Sequence, residues 1–593
     1  MDIDEALRTV GGFRRYHLTL FALLCFSSFI PTVFHGISYV FIGWTPPHHC
    51  AVPANQSKDD VIPRNSDGTY SSCQIYVNKS VNNDTKDCTS WSYDSNGYET
   101  MVTEFDLVCD RMHLAELSQT LQMAGTIVAD TVCSYFTDKY GRKRIHIAVL
   151  YMTSIFGLGV TFSPTFVSMA VFRILVGATC IVAINSGLTL MMELFDSDRR
   201  AFAGICLEFG WLAVYFLPLP LAYLAQDWRV FQLVGSLLPL VFTVYYCILP
   251  ESPGWLVAYQ RYDEAEDVLD RMARYNGVDV PPITITQATD DDDGPDVQMT
   301  LLEQKPHLRN SHLESVESLA ESERLKNGSR RSIGPPRSRS NTGADRGGGR
   351  DQSKTKTLIR TITSQISLAH KTTKTTVPVL QLIRDPKLRR HLALANLFWF
   401  ANSIVYYGLI LNASNYGNRF LLYLLMGVAE APAYVVSMLV VDRFGRRLPM
   451  ALFFLLAGIT LSVTILVPKD TDTGEVILLC LVLTGRFAIS GSFAIMVLYL
   501  RELFPTDVRS SSVAWSSVGG GIGNLSAPVT AYISKLLPWL PNIIFGGVSL
   551  VAAAGVIPLP ETANKPLPLT VEELYEIYYK KKRKRANTTT SMR

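Results

Sequence analysis

Asp138-Lys139-Tyr140-Gly141-Arg142-Lys143-Arg144 is written a second time, in altered letters, as Asp442-Arg443-Phe444-Gly445-Arg446-Arg447. Each copy is a short charged break between two apolar runs long enough to cross a bilayer. Other landmarks repeat in the same order at nearly the same distance. Arg173 in FRILVG answers Arg486 in TGRFAISG, Glu193 of ELFDSDRR answers Glu502 of ELFPTDVR, and Pro250-Glu251 answers Pro560-Glu561. Four markers at a shared offset indicate a duplicated unit: two homologous membrane halves facing one another, as in many transporters.

Composition agrees. Of the 593 residues, 48% are hydrophobic and 18% charged, and the charges gather in the first loop, a central segment and the tail. The stretches between them are nearly free of Lys, Asp and Glu, which marks them as bilayer-spanning helices. The net charge of +3 identifies no partner, and nucleic acid is excluded because the basic residues sit at helix ends, where topology accounts for them. No GxSxG elbow, phosphate loop, HExxH or metal-spaced His cluster is present, so neither an enzyme nor a bound cofactor or metal is expected.

Working outward, Leu18 to Ile42 reads as a retained first helix, preceded by a basic cytoplasmic N-terminus over 1–17. Further spans fall near 114–137, 145–163, 167–192, 201–225 and 230–249, completing an N-terminal half over 18–249. The C-terminal half, 391–558, holds spans near 391–411, 419–441, 449–467, 476–500, 510–533 and 540–558. The loop 43–113 is polar and carries Cys50, Cys73, Cys88 and Cys109 with three glycosylation sequons, at Asn55, Asn78 and Asn83. Four cysteines suggest two disulfides, with three pairings open, in an oxidising compartment. Alternating sides from a cytoplasmic start puts this loop outside and both charged motifs inside, as the positive-inside bias requires. Both termini then lie in the cytoplasm, which fits a multi-pass protein of the plasma membrane.

The segment 250–390 joins the halves. Its part 255–276 has helical spacing; 279–375 has a composition that buries no core and is expected to be disordered. Ser329-Arg330-Arg331-Ser332 fits a basophilic kinase pattern, making kinases candidate partners of this segment. The tail 559–593 carries a basic run, Lys580 to Arg585, suited to anionic lipid.

With these pieces placed, the chain resembles the organic cation, anion and zwitterion transporters, solute carrier family 22 of the major facilitator superfamily. The resemblance rests on the cysteine- and sequon-bearing first loop, DKYGRKR and DRFGRR, PESPGWL at 250–256, YYGLIL at 406–411, GVAEAPAY at 427–434, ELFPTDVRS at 502–510 and LPETANKPLP at 559–568. Gly254 departs from the usual PESP pattern, and 279–375 is longer than the family needs. The fold implied is an all-α membrane protein, twelve transmembrane helices in two pseudo-symmetric six-helix halves. The activity implied is alternating-access transport of small organic ions.

In such a protein the repeated motif resembles a gate latch, with Asp138, Gly141, Arg142, Arg144, Asp442, Gly445 and Arg446 as its parts. Arg173, Arg486, Glu193 and Glu502 are read as members of the same cytoplasmic network. Ionisable residues inside spans point to the substrate path: Asp130, Glu208 and Glu430, with Glu208 alternatively a gate residue and Asp130 alternatively a structural partner of a nearby Arg. Aromatic residues suited to cation–π contact accompany them: Trp211 and Tyr215 on one helix face, then Tyr245, Tyr406, Tyr407, Tyr434 and Trp515. The resemblance places Tyr406 and Glu430 at substrate-contact positions. It also places the family's charge selector at Gly521, where no charge is present. Organic cations or zwitterions are therefore expected; an anion or neutral solute, or a non-transporting solute receptor, is the alternative.

Overall fold

The computed structural model of the chain describes residues 3–278 and 384–579, apart from 12–13, 54–55, 66–67, 79–81, 196, 245–247, 414–416, 469–470, 506–507, 564, 566–567 and 569. The kinase pattern, the region 279–375, the basic run, Asn55 and Tyr245 lie outside the described residues.

Eight helices among the described residues are long and apolar enough to cross a membrane unaided. They are α1 (Arg15–Ile42), α3 (Arg142–Thr161), α4 (Phe166–Glu193), α5 (Cys206–Ala225), α7 (Pro386–Leu411), α8 (Arg419–Phe444), α9 (Arg447–Leu466) and α10 (Asp472–Leu503). Two shorter apolar helices, α6 (Trp228–Thr243) and α12 (Leu540–Val556), join them. The last two, α2 (Met112–Tyr140) and α11 (Arg509–Leu536), are long enough but rich in Ser, Thr and Gly. Their polarity has a structural reason. They pack on each other where the two halves meet, so much of their surface faces protein instead of lipid. Twelve helices in two groups of six make up the bundle.

Helix starts follow local chemistry. Asp385, Asn418, Thr165, Thr471 and Asp227 each turn a side-chain oxygen onto the first free N–H groups of α7, α8, α4, α10 and α6, satisfying donors that would otherwise be orphaned in an apolar medium. Two spans are irregular. A π-turn over Val33–Ile37 interrupts α1, and the helix Ser197–Tyr215 gives way to a second segment, Pro218–Ala225, because Pro218 cannot donate to the preceding turn.

One end of the bundle carries the 43–113 loop; the opposite end carries the two charged motifs. The loop adds β-structure to an otherwise helical chain. β1 (His48–Cys50) pairs antiparallel with β4 (Trp91–Tyr93), and β2 (Gln74–Asn78) with β3 (Asn82–Asp87). Cys50–Cys88 and Cys73–Cys109 are the disulfides, one of the three pairings left open by spacing. Such covalent closure is needed because the loop's core is small, Cys50, Ile62 and Cys88 with a few half-buried neighbours. The loop is fastened to α6 by Glu104, which receives Arg229 Nε at 2.9 Å and Trp228 Nε1 at 2.7 Å. Burial raises the Glu104 carboxyl, but these donors outweigh it and hold it below the ordinary glutamate range.

The linker residues expected to be helical form two helices, Pro253–Ala258 and Tyr262–Asn276. Both lie at the motif end, where Asn276 Oδ1 accepts from the backbone N–H of Tyr16 at 3.1 Å.

Candidate functional site

Glu430 lies mid-way along α8 and is completely buried. A carboxylate there must be compensated, and it is, from three sides. Arg486 Nη2 of α10 donates to Oε2 at 2.8 Å. The Tyr406 hydroxyl of α7 lies 3.0 Å from Oε1 and 3.2 Å from Oε2, and the Tyr434 hydroxyl, one turn along α8, donates to Oε1. Arg486 is itself fully buried; Nη1 donates to the backbone oxygen of Tyr406 at 3.0 Å and its guanidinium lies 3.5 Å over the Tyr406 ring. Four residues from three helices thus form one neutral, hydrogen-bonded unit inside the C-terminal half.

The N-terminal half reaches this unit through α5. Trp211 Nε1 donates to the Tyr406 hydroxyl at 2.8 Å. Glu208, one turn from Trp211, lies close to the Tyr434 hydroxyl, whose proton goes to Glu430. Tyr407 stands edge-on to Tyr406 with ring centroids 5.2 Å apart, and Phe209 edge-on to Tyr434 at 6.1 Å. Glu208 has no salt-bridge partner among the described residues.

Several expected residues lie elsewhere. Arg486 does not join the motif-end charges; it is the counter-ion of Glu430 in the middle of the bundle. Arg173 also lies well inside its helix, where Nη2 meets Gln119 Oε1 and the guanidinium lies 5.3 Å over Tyr39. Asp130 accepts from Asn185 of α4, within its own half, and not from an Arg. Trp515 is 49% exposed and shows no ring contact or hydrogen bond with the cluster among the described residues. At Gly521 a Cβ would come 2.9 Å from Ile127 of α2; the absent side chain permits helix contact instead of selecting charge. Tyr215 stacks on Tyr423 with centroids 4.3 Å apart, and each hydroxyl donates to the other's backbone carbonyl, at 3.2 and 2.9 Å. That pair, with Phe41 against Phe420 at 5.3 Å and Lys535 against Glu116 at 3.0 Å, ties the halves together toward the loop end.

At the motif end the two halves build the same object twice. Gly141 and Gly445 have φ +98° and +84°, turns that favour glycine. Each turn aims the start of the next helix at a glutamate: Glu251 accepts from Lys143 N at 2.9 Å, and Glu561 from Arg446 N and Arg447 N at 2.9 and 3.0 Å. A carboxylate on a helix N-terminus is well placed. Burial raises the Glu561 carboxyl, and backbone N–H donors overcome this to hold it below the usual range. Arg142 then pairs with Glu193 at 3.0 Å, and Arg446 with Glu502 at 3.0 Å. Asp138 adds an ion pair to Arg142 at 3.1 Å. Asp442, by contrast, is exposed and has no ion-pair partner among the described residues, and Arg144 is exposed as well. Glu251 and Glu561 entered the sequence reading only as repeat markers; their recurrence next to Pro was the signal of a shared role.

Comparison with known proteins now bears on the whole. The family described as "Sugar (and other) transporter" matches residues 69–305 and 339–574. An organic cation transporter-like protein of Drosophila melanogaster is 30% identical over 97% of this chain and 92% of its own length. The chain belongs to solute carrier family 22 of the major facilitator superfamily. Organic anion transporter 3 of Sus scrofa, another relative, is 29% identical over 97% of this chain and 93% of its own. Among solved structures, a D-xylose-proton symporter shares the fold at TM-score 0.53 and 15% identity, covering 94% of this chain and all of the symporter. The inward-open xylose transporter XylE of E. coli does so at TM-score 0.51 and 14% identity, covering 95% and 99%. Members of this family are membrane transporters, not enzymes, and this chain is a transporter by the same membership.

Proposed function

We propose that the protein carries small organic cations or zwitterions across the plasma membrane, at a site between α5, α7 and α8. Its walls are Trp211, Tyr406, Tyr407 and Tyr434, and its charge is that of Glu208. The observation that carries this reading is the pairing of Glu430 with Arg486. A carboxylate already neutralised at 2.8 Å offers a cation little, so the anchor moves from Glu430, where the sequence put it, to Glu208. Tyr434 has one hydroxyl proton and lies between two carboxylates. Glu430 holds it, which leaves Glu208 without a hydrogen-bond donor among the described residues and with Arg501 acting on it only electrostatically. A proton or an organic ammonium meets that need, and aromatic faces suit the alkyl-ammonium body. The two compete, so acidification on the side from which solute enters lowers uptake.

The disulfides and sequons favour an extracellular loop end, and the basic motifs a cytoplasmic position for the other end. The contacts tying the halves toward the loop end then belong to an inward-facing state. The motif turns act as the cytoplasmic latch, with exposed Asp442 available to engage the opposite half when that end closes, and Asp138 able to do so by leaving Arg142.

A second reading, an organic anion carrier, draws on Arg173, a buried guanidinium with no carboxylate partner among the described residues. Uptake of labelled tetraethylammonium, carnitine and p-aminohippurate by cells expressing the chain, with and without Glu208→Gln, separates the two. The cation reading expects tetraethylammonium or carnitine uptake to fall at least about tenfold in the variant, the loss of about 1.4 kcal/mol of binding. Undiminished cation uptake, or uptake of the carboxylate alone, would overturn it.

A further inference from the structure

At the loop end, away from Glu208, lies a cavity of about 260 Å³ lined by Trp44, Ser95, Asn96 and Tyr98 on one side and Gly417–Phe420 on the other. Its floor is a cation. Arg419 is only 9% exposed, and its guanidinium lies 3.6 Å over the Trp44 ring, 4.8 Å over Phe420 and 5.2 Å over Tyr98. Three aromatic rings surround the charge, yet none of them supplies an acceptor oxygen for its N–H groups. Nε is buried without a hydrogen-bond partner, and no carboxylate pairs with Arg419 among the described residues. Glu99 and Asp227 line a neighbouring recess that Arg419 also borders, and neither forms an ion pair with it. A desolvated guanidinium with an unfilled donor edge is costly and asks for an acceptor.

We propose that this cavity is a second, allosteric site for small aryl carboxylates, distinct from the transport site. The carboxylate would meet the two Nη groups of Arg419, which are not closed off as Nε is and whose planar pair suits two carboxylate oxygens. The aryl body would occupy the space beside Trp44, Tyr98 and Phe420. At about 260 Å³ the cavity is just below the range of most ligand pockets, which limits the ligand to one or two fused rings. Its walls belong to opposite partners: Trp44, Ser95, Asn96 and Tyr98 come from the first loop, and Arg419 and Phe420 from the start of α8. The site is complete only while the loop end is closed. A bound carboxylate therefore favours that state by its differential affinity, and slows transport without occupying the transport site.

The test uses the purified full chain with 2-naphthoate, and 2-naphthamide as its uncharged twin. The expected result is a rise in melting temperature of about 2 °C at one hundred times Kd with naphthoate, and none with naphthamide. Arg419→Gln abolishes the rise. Ser95→Trp, which fills the cavity from the loop and leaves Arg419 intact, abolishes it too and covers the case in which Arg419→Gln fails to fold. Glu208→Gln keeps it. In uptake assays, naphthoate added on the loop side lowers the maximal rate and leaves KM unchanged. No rise with the wild-type chain, an equal rise with the amide, a rise that survives Ser95→Trp, or one lost in Glu208→Gln would each overturn the proposal.

Discussion

Arg486 and Arg173 occupy matching places in the two halves, and both are buried, but their surroundings differ. Arg486 has a carboxylate at 2.8 Å, a carbonyl at 3.0 Å and a tyrosine face at 3.5 Å. Arg173 has a glutamine oxygen and a more distant tyrosine ring, and in both arginines Nε is left unpartnered. Duplication supplied the same residue twice, and divergence gave each copy a different neighbourhood. In the C-terminal half the charge is locked into a neutral unit that positions Tyr406 for Trp211. In the N-terminal half it is left to dipoles, and the buried polar cost remains with the helix packing of α1, α2 and α4.

The largest effect should come from breaking the compensated pair. Glu430→Gln strands a desolvated guanidinium and is expected to cost about 3–5 kcal/mol, read as a large drop in melting temperature and in surface expression. Removing both charges, Glu430→Gln with Arg486→Met, should recover most of that loss. Arg173→Met strands no carboxylate and should change stability by only about 1 kcal/mol in either direction. Equal costs for Glu430→Gln and Arg173→Met in the same melting assay would erase the distinction between the halves.

Where the halves agree, substitutions should have equal effects. Gly141→Ala and Gly445→Ala both force an L side chain into positive φ and push a Cβ to 2.5 Å from Glu251 and 2.8 Å from Glu561. Each is expected to cost about 1–3 kcal/mol, by the same melting measurement. A cost confined to one half would show that the turns have diverged as the arginines have.

The smallest effect on stability belongs to Asp442→Asn, within about 0.5 kcal/mol because the side chain is exposed. Its readout is conformational. Labelling of a cysteine placed near the motif end should increase, since the closed cytoplasmic state loses a bond that the open state does not have. Unchanged labelling would leave the motif with a purely topological role.

The helices were legible because the bilayer imposes length and apolarity on each of them separately. The two least apolar spans, α2 and α11, were still found, since about 25 residues between charged breaks suffice to mark a span. The β-ribbons of the loop were not, because disulfides and not periodicity hold that region. Tyr406, Glu430, Tyr434 and Trp211 could be named from sequence as ionisable or aromatic residues deep within spans. Their bonding could not. That Glu430 is spent on Arg486 depends on the relative rotation of α8 and α10, which leaves no trace in either helix alone, and the repeat itself misled by grouping Arg486 with the motif-end charges. The Arg419 cage escaped notice for a similar reason: its rings come from residues 44, 98 and 420, which only the folded chain brings together.

The Tyr215–Tyr423 stack has a kinetic consequence. Each ring's hydroxyl is bound to the other residue's carbonyl, so the two bonds are coupled by a rigid stack and cannot be lost one after the other by rotating a side chain. Separation of α5 from α8 must break both and uncover two buried carbonyls in the same movement. An opening toward the loop end would lose both bonds in one movement, and the turnover rate of the carrier should then rise steeply with temperature.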